Sequence, residues 1–492
     1  MKLGELAIAD IKLDPKSRDD IPQILRGLQH IYTTPELRGP VFAILEEVLP
    51  EHQIDGKAVK ADPNNGRPGM TQWQILVLGV LRLGLNADYD RILELANEHK
   101  TLRKMLGHSD WAAEKLYNLQ TLKDNLRLFT PEILDRLNQV IVGAGHQALK
   151  KNPEEGIAGR CDSFVVETDV HFPTDINLLL DAIRKVIAIS AELSNTHNLP
   201  GWRQHHYHQS LFKKQYRKVQ RLKHSTSKDE SKQQRKEQEV KDAHRAYLDL
   251  ATEYLTRADQ TRQQLYPNDP LAVIRLGELH SFIQHARRQI DQIDRRVLRG
   301  ERIPHDEKVF SLFEPHTEWI SKGKAGVPVE LGLRVCIMED QYRFILHHRV
   351  MVKNTDDRVA FAMVGETKQK FPKLRAVSMD KGFYSPANLL VLKARLDCLV
   401  LPKKGRLLQA DKARESEPEF VALRKQHSAV ESAINALEVH GLDKCPDHGL
   451  NGFKRYIAMA VVARNIQRLG AVLRQQEQEF EKRKRGPYQK AA

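Results

Sequence analysis

Cysteine is scarce: Cys161, Cys336, Cys398 and Cys445 are the 4 in 492 residues, and no C-x-x-C pair occurs. That excludes a zinc ribbon and a disulfide framework. Cys445 and His448 form a lone Cys/His pair that reads as part of a loop. No apolar run approaches the ~18 residues of a membrane span, and the opening MKLGELAIADIKLD has no signal-peptide core. The chain therefore reads as cytoplasmic, with no membrane partner. Acid is also in deficit, with 64 Asp and Glu against 78 Lys and Arg for a net charge of +14. The basic excess is concentrated in segments, and no long basic helix has a strongly apolar face. A polyanion, nucleic acid before membrane, is the partner class this points to, the plainer reading being a merely basic soluble protein. The length suits two or three domains.

Taken in order, helix-like patches at Ile21–Ile31 and Pro40–Leu49 precede a turn-dense loop at 62–69. Thr71 looks like the N-cap of a helix through Ile75, Leu78 and Leu81 that ends at Gly84 and Asn86. Another helix begins at Asp88. Short helices with tight turns suit either a helix-turn-helix unit on DNA, with Arg103, Lys104 and Arg127 at phosphates, or a small packing bundle. Thr130 and Pro131 open a further helix. The run Phe164–Val166 reads as a strand opened by Asp162, with a helix over 176–193 after it.

Between Arg203 and Lys236 the chain turns strongly basic. Arg203, Lys213, Lys214, Arg217, Lys218, Arg221 and Lys223, then Lys228, Lys232, Arg235 and Lys236, face only Asp229 and Glu230. Long antiparallel helices to about Arg299, turning at Pro267–Pro270, explain the pattern. Such an arm can lie along DNA and release counterions, or it is a solvated hairpin. His205, His206 and His208 lack partnering carboxylates or cysteines and read as surface histidines. From Pro328 the period becomes strand-like: a hairpin around Glu339–Gln341, a helix over 358–364, a strand at Leu374–Met379, a helix from Pro386 and a strand from Cys398. Helix dominates from Glu417 to about Lys484, interrupted at 443–452.

Three acids stand out in this order. Asp162 lies on the first strand, Asp380 ends another in AVSMDKGFYS, and Glu431 lies on a helix whose apolar positions are Val430, Ile434 and Leu437. Two strand aspartates and a helical glutamate offer the hard oxygens that two Mg²⁺ ions need against a phosphodiester. Any such triple is easily found among 64 acids. Asp169 is the rival first ligand; along one strand it and Asp162 fall on opposite faces.

CDSFVVETDVHFPTDINLLLDAIRKV resembles the first catalytic block of DDE-type bacterial insertion-sequence transposases, nearest to the ISNCY-like group. AVSMDKGFYSPANLLVL is similar to their second block, and HSAVESAINALEVHGLDKCPDHGLNGFKRYIAMAVVARNIQRLG to the third. GRPGMTQWQILVLGVLRLGL is similar to their N-terminal helical region, which favours DNA-end binding there. The resemblance covers much of 71–470. It implies an α/β, RNase H-like catalytic domain with a helical N-terminal domain and a long helical arm inserted between the first and second strands. The arm accounts for the wide separation of Asp162 from Asp380. The expected layout is a helical DNA-end-binding domain at 1–150, catalytic segments at 151–194 and 321–470, the basic insertion at 195–320 and a basic tail at 471–492.

The resemblance further implies that Asp162, Asp380 and Glu431 hold two Mg²⁺ ions, Mn²⁺ substituting. It also implies cleavage of transposon ends, joining of their 3′-OH to target double-stranded DNA, and a homodimer or higher oligomer on DNA. Arg424 and His427 would meet DNA beside Glu431, while Lys381 and Lys322 are candidate phosphate contacts, the plainer reading being surface lysines. Related enzymes often carry Y-x2-R-x3-E-x6-K around the glutamate. Arg424, His427 and Glu438 occupy those flanking places, so the signature is absent, and with it the basis for a hairpin pathway. A metal-dependent nuclease of the same fold, or an inactive or regulatory DNA-binding derivative, are the alternatives.

Overall fold

The computed structural model describes residues 8–49, 51–54, 57–60, 69–108, 116–152, 154–222, 229–265, 270–321 and 328–484. The chain forms two compact units, Met1–Asp169 with Ile320–Ala492, and Val170–Trp319. It is mixed α/β with helix in the majority.

The first unit opens with α1 (Asp20–Thr33), α2 (Pro35–Leu45) and the antiparallel pair β1 (Glu51–Ile54) and β2 (Lys57–Lys60). Then follow α3 (Gln72–Gly84), α4 (Tyr89–Glu98), α5 (Lys100–Met105), α6 (Leu119–Leu126), α7 (Pro131–Ala148) and β3 (Ile157–Thr168). Helix starts follow local chemistry. Thr71 and Gln74 close a reciprocal capping box on α3, Asp88 accepts from Arg91 N at 2.7 Å, and Thr130 caps α7 ahead of Pro131. Helix α3 is buried from Trp73 through Gly84, Arg82 included. A helix apolar on all sides belongs to a core, so α3 is not free to lie in a DNA groove. The packing-bundle reading holds for it. Arg103 donates to the carbonyls of Ala96 and Asn97 at the end of α4.

The second unit holds α8 (Asp175–Thr196), α9 (His205–Arg221), α10 (Glu230–Gln263) and α11 (Pro270–Ile293). It has its own core, in which Phe212 stacks on Tyr247 at 4.6 Å and Trp202 Nε1 donates to Thr261 Oγ1 at 2.8 Å. Helix α8, expected with the sheet, packs here through Leu179, Ile183 and Val186.

The chain continues through β4 (Glu318–Ser321), β5 (Val329–Glu339), β6 (Ile345–Met351), α12 (Asp356–Lys370), β7 (Leu374–Met379), α13 (Pro386–Lys393) and β8 (Cys398–Val400). It ends with α14 (Gln409–Glu415), α15 (Pro418–His427), α16 (Ala429–Leu437), β9 (Lys444–Cys445) and α17 (Gly449–Lys484). Seven strands form one mixed sheet around β3. Strand β5 is antiparallel to β3 and β6 antiparallel to β5; on the other edge β7 is parallel to β3 and β8 parallel to β7. The short β4 joins β5, and β9 joins the end of β3.

The β5–β6 hairpin turns as the sequence predicts, held by Asp340 Oδ1 accepting from Tyr342 N at 2.8 Å and Phe344 N at 2.9 Å. Two elements begin earlier than predicted. Strand β3 starts at Ile157 instead of Asp162, because Ile157, Gly159 and Cys161 already alternate into the core. Glycines at 156 and 159 hide this in the sequence. Helix α12 starts at Asp356 instead of Arg358, where two aspartates suit the positive end of the helix dipole.

Helix α17 backs the sheet, packing on α1, α3 and α7. Asn465 is fully buried, accepts from Ile345 N at 2.9 Å and donates to Asn138 Oδ1 at 2.7 Å, which ties α17, β6 and α7 together. Helix α1 crosses α17 at Gly27 and Gly470; a Cβ at Gly470 would lie 1.9 Å from the Gln23 carbonyl oxygen. Gly470→Ala must push two backbones apart and should cost about 2–4 kcal/mol in urea unfolding. Gly277→Ala on the exposed face of α11, with open space around it, should instead gain up to about 1 kcal/mol.

Candidate functional site

The parallel register of β3 and β7 brings the two aspartates together. Arg160 pairs with Ser378 and Cys161 with Met379. Asp162 and Asp380 are the next residues on each strand, and Asp380 is still extended. Continued one residue past that register, the alternation of side chains puts both aspartates on the same face, and the charge of Asp380 acts on Asp162. Beyond Cys161, β3 has no strand on this edge until β9 pairs at Glu167 and Thr168. Helix α16 packs against β3 and carries Glu431 in its first turn. Asp162 is half-buried, whereas Asp380 and Glu431 are exposed.

Burial first, then the charges of Asp380, Asp356 and Glu431, push the Asp162 carboxyl up to about 6, against the Ser163 backbone N–H that stabilises its anion. That N–H donates to Asp162 Oδ1 at 2.7 Å. Asp356 is a fourth acid that sequence reading missed. It opens α12 and accepts from Ser163 Oγ at 2.6 Å. The pair Asp356-Asp357 after Thr355 is an N-terminal helix signal that could have found it. Gly382 lies tight against it, a Cβ there falling 2.9 Å from Asp356 Oδ2.

His427 belongs to the same face. Its Nδ1 is 3.1 Å from Ser378 Oγ, and burial lowers its pKa against the opposing charge of Asp380. Arg424 is exposed and pairs with Glu415 at 3.5 Å. Asp169 does not join this group: it lies past the end of β3 and pairs with Lys444 at 2.6 Å. Lys381 is exposed directly after Asp380. Among the described residues no group of three or more His, Cys, Asp or Glu is drawn together closely enough to hold a metal ion as it stands.

In the helical unit, Arg203 precedes α9, whose Lys213, Lys214, Arg217, Lys218 and Arg221 are all exposed. Among the described residues none of these six has a carboxylate partner. The bases of α10 differ, since Lys232 pairs with Asp229 and Lys236 with Glu239. The basic run thus resolves into an uncompensated helix and a self-neutralised one. Lys223, Lys322 and the tail beyond Lys484 lie outside the described residues.

No protein-family model, no curated protein and no solved structure matches the chain.

A carboxyl held protonated by the fold is destabilising once it ionises. Below pH ~4 Asp162 is protonated folded and unfolded alike. As pH rises toward about 6, the unfolded chain ionises it first and wild type loses stability. With divalent ions chelated, Asp162→Asn should gain on the order of 1–3 kcal/mol over wild type between pH 4 and 7. Paired thermal melts across that range check this; a pH-independent difference contradicts it.

Proposed function

We propose that this chain is a DDE-type DNA transposase that cleaves transposon ends and joins their 3′-OH to target DNA. The observation carrying this reading is that Asp162 on β3 and Asp380 at the end of the adjacent parallel strand β7 follow directly on paired residues, with Glu431 on a helix packed against β3 and the charges of Asp380 and Glu431 acting on Asp162. The strands β6, β5, β3, β7 and β8 follow one another in the sheet with β5 antiparallel to the other four, the order an RNase H-like domain would have, and this supports the same reading; β4 also joins β5. The three sequence blocks that resemble such transposases carry these three acids.

The donor set suits Mg²⁺ or Mn²⁺. It consists of hard carboxylate oxygens, and the Asp162 carboxyl, raised first by burial and then by the charges of Asp380, Asp356 and Glu431, is one whose anion divalent charge would stabilise. Asp162, Asp380 and Glu431 would hold the ions, with Asp356 anchored beside them through Ser163. Two such ions supply Lewis acidity at the entering and departing oxygens of a phosphodiester. The protein's own part is placement: the parallel register fixes the aspartates, and the Ser378–His427 contact ties the end of α15 to β7 just ahead of α16. The bases of α9 face double-stranded DNA through its phosphates.

With Mg²⁺ and a labelled fragment bearing the element's own end, Asp162→Ala, Asp380→Ala and Glu431→Ala should each lose cleavage and joining at least 10³-fold, with DNA binding kept. Asp169→Ala should retain activity. Cutting without joining a pre-cut 3′-OH end would make the protein a nuclease of this fold, and no metal-dependent cutting by wild type would leave a DNA-binding role alone. In a separate measurement, Lys213→Gln, Lys214→Gln, Arg217→Gln and Lys218→Gln together should flatten the slope of log affinity against log salt by about 2–4. An unchanged slope removes α9 from the DNA interface.

A further inference from the structure

A second site lies in the first unit, in a cavity of about 890 Å³ framed by the ends of α3 and α6, the start of α4, β9 and the start of α17. Five bases line it: Arg82, Lys123, Arg127, Lys444 and Arg455, against three carboxylates. Each carboxylate is already engaged. Asp88 caps α4, and Asp169 pairs with Lys444 at 2.6 Å. Asp447 serves two guanidinium groups at once, Arg82 and Arg455, both at 3.1 Å. Among the described residues Lys123 and Arg127 have no carboxylate partner.

Two further features favour an anion at this cavity. The Arg82 side chain is only 7% exposed, and its Nε is buried with no hydrogen-bond partner. An unsatisfied N–H on a buried cation costs more than a neutral one, and negative charge nearby offsets part of that cost. The first turn of α17, with Asn451 and Gly452, lines the same space, where a helix presents N–H groups without intrahelical acceptors. Tyr89 stiffens the wall: the Arg82 guanidinium lies 4.1 Å from its ring centre and the Lys123 ammonium 5.6 Å.

We infer that this cavity binds a phosphodiester group of a nucleic-acid strand, held by Arg82, Arg455, Lys123 and Arg127. Guanidinium groups pair with phosphate oxygens, and a helix N-terminus with flanking bases is a common seat for a phosphate group. The site carries none of the Asp162, Asp380 and Glu431 carboxylates, so it is a holding site with no reaction of its own.

The test uses the full chain with divalent ions chelated, so its outcome is independent of metal-dependent cleavage. Thermal shift and calorimetric titration are run with the dinucleotide dTpdT and, separately, with inorganic phosphate. Wild type should bind dTpdT saturably, and Lys123→Gln with Arg127→Gln should weaken that binding about tenfold while leaving the ligand-free melting temperature unchanged. Neither substituted side chain takes part in the buried Arg82–Asp447 pair, and both are replaced by a polar residue, so folding is retained. Equal dTpdT binding by wild type and double variant, or none by wild type, overturns the inference. Saturable binding of inorganic phosphate without dTpdT overturns it too, in favour of a free-anion site.

Discussion

Strand β3 is hydrogen-bonded along both edges, antiparallel to β5 and parallel to β7, and that double registration sets what every residue on it can do. Side chains alternate across a strand, so a slip of one residue would turn Asp162 into the core and bring Cys161 out to the acid face. The register is held tightly. Gly332 of β5 approaches so closely that a Cβ there would lie 2.0 Å from the Val166 carbonyl oxygen. On the other edge β7 stops pairing at Cys161 and β9 pairs at Glu167, and α16 packs against the same strand. Sheet geometry thus gathers acids from three distant stretches of chain without any one stretch being unusual.

Gathering them has an electrostatic cost, visible in the Asp162 carboxyl raised to about 6 by burial and by its acidic neighbours. The same unit manages other buried charges by pairing. Glu339, 2% exposed, sits opposite Arg160 on the neighbouring strand at 3.2 Å, yet burial still lifts its carboxyl to about 7. Asp447 answers two arginines with a single carboxylate. In the helical unit α10 pairs its charges along its own surface, which leaves α9 as the face with uncompensated positive charge. Acid is thus concentrated on the sheet and uncompensated base on one helix.

Much was legible in local pattern. Alternation and turn residues marked the β5–β6 hairpin and placed β7 at Leu374–Met379, where it is found. Side-chain caps at Thr71 and Thr130 marked helix starts, since one hydroxyl and a few residues settle whether a first turn is satisfied. Asp162, Asp380 and Glu431 could be picked out by residue type and by the resemblance of their surroundings. The early start of β3 escaped because glycines carry no side-chain signal, and Asp356 escaped because it looked like part of a loop. That α3 is core on every side was also out of reach, since apolar content does not say how many neighbours will cover a helix.

The amino-acid sequence by itself determined the mixed α/β class, most strand and helix positions, the basic stretch and the three acids, because each depends on residue type and short-range spacing. Only the tertiary structure decided which acids share a face, that Asp169 turns away to Lys444, that α9 and not α10 keeps its positive charge uncompensated, and that Arg82 is buried against a basic cavity. Those outcomes depend on register and on packing between segments far apart in the chain. No local window of sequence contains that information.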